Sequence, residues 1–190
     1  EDSDTGQKKE KGPIILCVDT SGSMNGEPEC VAKAIALHMA SIAHQQERPC
    51  YLISFSTDIT TFDLSRSKGL KDLVEFLKLS FCGGTDVMPA LERGIEMMQE
   101  GEYKNADLLV ISDFIFPTDN AEIKKKIKEQ RKKDNGFYAL SILERSRKSF
   151  DYYDKEKQEM FDEAWVYSSK GKTIRQLFSR LQKICHQRSK

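Results

Sequence analysis

The chain has 190 residues, with thirty Lys and Arg balancing thirty Asp and Glu and 38% hydrophobic residues. That length fits a single domain with a sizeable core, and zero net charge excludes a global electrostatic preference for nucleic acid or an anionic membrane. No apolar run approaches the roughly 20 residues needed to cross a bilayer, so no transmembrane segment is expected.

The opening EDSDTGQKKEKG, residues 1–12, is polar and Gly-containing, and reads as a linker or tail leading into a domain over 13–190. Ile14 to Val18 is a continuous apolar run, the pattern of a central parallel strand covered on both faces. Val31, Ala34, Ile35, His38 and Ile42 recur at helical spacing, and Pro49 closes that helix before a second strand, Tyr51 to Phe55. TDITTFDLS, from residue 57, is rich in β-branched residues and alternates, so it is expected as an antiparallel partner of the second strand.

Leu70, Leu73, Val74 and Leu77 predict a second helix. Met88, Leu91, Ile95 and Met98 predict a third after the Gly83-Gly84 turn, with Pro89 in its tolerant first turn. Leu108 to Ile111 is another short apolar run, followed by a helix for which Asp119 and Glu122 have capping-box spacing, and then by a strand from Phe137 to Ile142. Ala164 to Tyr167 reads as the final strand, and Ile174, Leu177, Phe178, Leu181 and Ile184 stripe a last helix. This rhythm predicts an α/β fold: a doubly wound, mostly parallel sheet with one antiparallel edge strand and helices on both faces.

In such sheets, ligands sit beyond the carboxyl ends of the strands. Asp19, Ser21 and Ser23 follow the first strand, Thr85 follows Gly83-Gly84, and Asp113 follows the run Leu108 to Ile111. Carboxylate and hydroxyl oxygens are hard ligands, suited to Mg²⁺ or Mn²⁺, and three loops could converge on one ion. The same residue types also favour caps and turns, and Asp86, directly before the third helix, is expected as its N-cap rather than as a ligand.

D-x-S-G-S at 19–23, G-G-T at 83–85 and S-D at 112–113, in that order, resemble the metal-ion-dependent adhesion site of von Willebrand factor A domains. The resemblance implies a Rossmann-like α/β fold in which Asp19, Ser21, Ser23, Thr85 and Asp113 bind Mg²⁺, with Mn²⁺ or Ca²⁺ as substitutes, directly or through water. It further implies an open coordination position that a partner's Asp or Glu fills, the metal bridging two proteins rather than driving a reaction.

Enzyme motifs are missing from the same loop. A haloacid-dehalogenase phosphatase would have a second Asp where Ser21 stands, and a serine hydrolase elbow would read G-x-S-x-G where D-T-S-G-S-M occurs. No catalytic role is therefore expected.

Five cysteines, at 17, 30, 50, 82 and 185, are odd in number and form no C-x-x-C pair. Cys17 and Cys50, in expected strands, are read as small core side chains of a reducing compartment, hence a cytoplasmic home. Cys82, close to Thr85, is taken as a turn-adjacent side chain. His38, His44 and His186 lack ligand spacing and are expected to pack or face solvent. KKKIKEQRKK, 124–133, reads as a solvated helix face with no interleaved aromatics, so nucleic acid is not an expected partner. The charged stretch 144–163, with Tyr152 and Tyr153, reads as a surface loop or short helix.

GPIILCVDTSGSM, FSTDI, GGTD and ADLLVISDFI, with Phe161-Asp162 and Trp165, are similar in wording to the C-terminal domain of bacterial ViaA-type proteins. That resemblance implies an intracellular adaptor for a MoxR-type, RavA-like AAA+ ATPase. An exported adhesion module binding a surface or matrix protein is the alternative.

Overall fold

A computed structural model describes residues 12–65, 67–117, 119–143 and 155–168. Six strands, β1 (Ile14–Asp19), β2 (Cys50–Phe55), β3 (Ile59–Asp63), β4 (Asp107–Ser112), β5 (Gly136–Leu143) and β6 (Glu163–Ser168), form one sheet in the order β3-β2-β1-β4-β5-β6. Only β3 runs antiparallel, paired with β2; the other pairings are parallel. The helices are α1 (Glu27–Gln45), α2 (Gly69–Leu77), α3 (Met88–Met97), α4 (Ala121–Arg131) and α5 (Lys155–Met160). The expected doubly wound sheet with an antiparallel edge strand is thus observed.

All six residues of β1 are buried, because alternate side chains feed two different cores. Ile14, Leu16 and Val18 pack with α1 and α2 through Val31, Ile35, Met39, Leu73 and Phe76. Ile15 and Cys17 pack on the opposite face with Ala90, Leu91 and Ile95 of α3 and Ile123 and Ile127 of α4. Each fully buried large apolar side chain contributes about 1.5–3 kcal/mol of transfer free energy, so the strand nearest the candidate site is also the one both cores hold in place.

Several expectations change. α2 forms where its periodicity predicts, yet Leu70 is 76% exposed and Val74 is exposed too; Leu73 and Phe76 are the buried pair, and Leu77 packs beside them. Spacing alone reads every apolar residue as inward-facing, whereas a helix turns only one stripe to the sheet. The cap of α4 is Asn120, whose Oδ1 accepts the Ile123 N–H at 3.1 Å, not Asp119 one position earlier. Cys17 and Cys50 are buried as expected, Cys30 and Cys82 are exposed, and these four described cysteines are free thiols. Within 144–163 a short helix, α5, is present. The expected last helix over 174–184, Tyr152 and Tyr153, His186 and Cys185 lie outside the described residues.

α4 buries Ile123, Ile127 and Gln130 and leaves its lysines partly or fully exposed, the solvated face expected of that charge run. Among the described residues no helix is long and apolar enough to cross a membrane.

Candidate metal centre

The strand order reverses at β1 and β4: α1 leaves β1 toward one face of the sheet and α4 follows β4 on the other. The crevice outside the carboxyl ends of two such strands is the place where open α/β sheets bind ligands. Asp19 is the last residue of β1, and Asp113 follows the last residue of β4.

The β1 loop is tied down on both sides. Thr20 donates its N–H (2.8 Å) and its hydroxyl (3.1 Å) to the Phe55 carbonyl at the end of β2. Its own carbonyl accepts the Cys82 N–H at 2.9 Å, and Gly22 donates its N–H to the Gly83 carbonyl at 3.0 Å. A Cβ at Gly22 would lie 3.4 Å from that carbonyl, and Gly83 adopts φ +89°, so glycines permit both the close approach and the turn. Asp86 donates its N–H to the Ser56 carbonyl at 2.7 Å, fixing the far side of the same loop. Thr85, half-buried, therefore lies between two anchored positions, pinned against the β1 and β2 loops.

Asp19 is fully buried. Its Oδ1 accepts the Ser21 N–H at 2.9 Å and its Oδ2 accepts the Ser112 hydroxyl at 2.5 Å. The hydroxyls of Ser21 and Ser23 lie 3.1 Å apart. Asp113 is 5% exposed, and its Oδ1 accepts the Ile115 N–H at 3.2 Å. Burial pushes the Asp19 carboxyl above its ordinary range; hydrogen bonds from Ser112 and Ser21 oppose the shift, and repulsion from Asp113 adds to it.

The structure joins Asp19, Ser21 and Ser23 directly, places Asp113 within electrostatic reach of Asp19, and holds Thr85 at the same end through its neighbours' backbone bonds. Two buried carboxylates that repel one another, beside paired hydroxyls, form an oxygen-only donor set. That chemistry fits a hard divalent cation. Among the described residues no three His, Cys, Asp or Glu side chains cluster for a metal; a cation here would depend on hydroxyls and water as well as on the two carboxylates.

Asp86 behaves nearly as expected. Its Oδ1 accepts the Met88 N–H at 3.0 Å at the start of α3, while Val87 occupies the cap position. Two features escaped the sequence reading. Ser112, buried at the end of β4, bonds Asp19 across the sheet, and its only signal was its place directly before Asp113. Phe114 adopts φ +59°, rare for a non-glycine residue. Its ring is locked between Phe116 and Phe161, at centroid separations of 5.4 and 5.9 Å, which offsets the cost of that backbone.

Comparison with known proteins converges on one family. Regulatory protein ViaA from Proteus mirabilis is 35% identical over 164 residues, covering 86% of this chain and 32% of ViaA, so the chain spans about a third of that relative's length. An aerotolerance-related membrane protein from Bacteroides fragilis superposes with TM-score 0.67 at 12% identity, covering 90% of this chain and 97% of that one. The SpRpn10 VWA domain superposes with TM-score 0.59 at 9% identity, covering 90% and 95%. These two structures bear on fold alone. A family model described as von Willebrand factor type A domain matches residues 14–115, more than half of the chain, from β1 through the Asp113 loop, and the chain therefore belongs to that family.

Proposed function

We propose that this domain is a metal-dependent protein–protein interaction module in which Asp19, Ser21, Ser23, Thr85 and Asp113 hold Mg²⁺, with Mn²⁺ or Ca²⁺ as substitutes. The observation that carries this reading is the burial of Asp19 and Asp113 together at the switch point beside the Ser21–Ser23 hydroxyl pair. When bound, the cation supplies a Lewis-acidic point with an exchangeable position that a partner's Asp or Glu fills.

The chain's own residues explain why such a contact needs the cation. The segments at this end, 19–26, 56–58, 82–87 and 113–117, include Asp19, Asp58, Asp86 and Asp113 and no lysine or arginine. Lys157 of α5 lies over the Phe116 ring, so one cation does approach this end; like charges facing each other across an interface repel, and the four loop carboxylates oppose an incoming carboxylate unless a bound cation offsets them. Ser21 and Ser23 hold their hydroxyls 3.1 Å apart, and the bonds from Thr20, Gly22 and Asp86 keep the three loops in register.

Likeness to a regulatory protein supports a protein partner over a small substrate. We assign that partner to the MoxR-type, RavA-like AAA+ ATPases and place the domain in the cytoplasm as a non-enzymatic adaptor. Four free thiols, two of them exposed, suit a reducing compartment.

The test is calorimetric titration of a purified MoxR-type ATPase into the domain with Mg²⁺, with EDTA, and with Asp19→Ala. Binding only with Mg²⁺ and an intact Asp19 is expected. A complex that persists in EDTA, or in a folded Asp19→Ala variant, overturns the reading.

A further inference from the structure

We infer that Ser112 is the residue that positions Asp19 for the cation, an inference that rests on the metal reading above. The β1–β4 ladder ends at Val18↔Ile111, one residue short of both Asp19 and Ser112. The Ser112 hydroxyl extends that pairing by a side-chain bond, 2.5 Å to Asp19 Oδ2, between residues 93 apart in the chain.

The direction of the bond is fixed by a second one. Ser112 Oγ accepts the Phe114 N–H at 2.9 Å, so its single proton is free to point at Asp19, and an ionised carboxylate can only accept. Phe114 returns its N–H to that oxygen because its backbone lies in the left-handed region and its ring is packed against Phe116 and Phe161. Asp19 is held by Ser112, whose hydroxyl reaches Oδ2, and by Ser21, whose N–H reaches Oδ1 and whose hydroxyl also interacts with the carboxylate. Ser112 thereby fixes one Asp19 oxygen while the Ser21 N–H fixes the other, and the lone pairs left over face a set direction. Partners in the next layer that orient a metal-binding side chain typically change metal affinity by about 10–100-fold when removed.

The test measures the Mg²⁺ dissociation constant by calorimetry, with urea unfolding in EDTA alongside, for the wild type, Ser112→Ala, Ser112→Cys, Ser112→Thr and Ser54→Ala. Ser54 is a buried hydroxyl of β2 that donates to the Thr60 carbonyl at 3.3 Å and has no described bond to a site residue, and it controls for the loss of a buried serine at the same end of the sheet. Ser112→Ala and Ser112→Cys are expected to weaken Mg²⁺ binding by about 10–100-fold. Ser112→Thr, which keeps the hydroxyl, should recover most of that, and Ser54→Ala should lower stability without moving the constant. If Ser112→Ala unfolds, Ser112→Cys, close in size and a weak donor, gives the same reading. Mg²⁺ binding within twofold of wild type in either variant overturns the inference and leaves the metal reading standing. A wild type that binds no Mg²⁺ at millimolar concentration overturns the metal reading, and this inference with it.

Discussion

Replacing Asp107 with alanine tests whether the stability of the sheet and the chemistry of the crevice separate. Asp107 opens β4, at the opposite end of the sheet from Ser112, and its Oδ2 meets Arg48 Nη2 at 3.3 Å. The Arg48 side chain is 2% exposed, so Asp107→Ala leaves a guanidinium buried without its counter-charge. Breaking a buried pair from one side typically costs about 3–5 kcal/mol. Two features place this case at or below the lower end: the Asp107 side chain retains 11% exposure, and Arg48 keeps bonds to the Gly12 carbonyl (2.5 Å) and Gln46 Oε1 (3.2 Å). A loss of about 2–3 kcal/mol is expected, which for a domain of this size lowers Tm by roughly 5–10 °C. Urea unfolding at constant m-value reads the loss directly, and Asp107→Leu combined with Arg48→Met should recover most of it. Mg²⁺ affinity should stay at the wild-type value. A loss below about 0.5 kcal/mol, the range of ordinary surface substitutions, would refute the energetic reasoning; weakened Mg²⁺ binding in the folded variant would refute the separation of the two ends.

Thiol labelling of the native protein should modify Cys30 and Cys82 rapidly and reach Cys17 and Cys50 only on unfolding, since burial pushes both of those thiols up, Cys50 to about 12; prompt native labelling of Cys50 would contradict the packing. Phe114→Ala should cost about 3–5 kcal/mol by denaturant titration, because it removes the aromatic anchor of a left-handed turn. His38 is shifted down by desolvation, so the unfolded chain takes up its proton first as pH falls below 6.5. Stability should therefore rise with pH through that window, and His38→Gln should flatten the slope of ΔG against pH there. Mg²⁺ should raise the wild-type Tm and leave that of Asp19→Ala unchanged in thermal scans.

The frame of the fold was legible because buried parallel strands leave an unmistakable trace. Ile14 to Val18 and Leu108 to Ile111 have no polar interruption, and only a strand covered on both faces tolerates that in so short a run. Asp19, Ser21 and Ser23 stood out because polar residues follow such a run with no spacer. What escaped depends on contacts between distant segments. Ser112 was legible only as half of the S-D step at 112–113; its bond to Asp19 was not, because that partner lies 93 residues away. Leu70 and Val74 matched helical spacing, but solvent exposure is decided by where α2 lies on the sheet, which periodicity does not encode. Asn120 and Asp119 are equally good caps in isolation; the neighbouring backbone chooses between them.

The bond between Asp19 and Ser112 also sets an order of events during synthesis. A nascent chain that has emerged through α3 already contains Asp19, Ser21, Ser23 and Thr85, yet it lacks the strand that supplies Ser112 and Asp113. β1 at that stage has one neighbouring strand instead of two, and the edge that pairs with β4 is open. The crevice can exist only after β4 has inserted beside β1, one of the longest-range pairings in the sheet and the kind that forms slowly. Under the proposed function, a partner bound at this site would therefore report that β4 stands beside β1, and a copy truncated before β4 would offer no competent surface to compete for that partner.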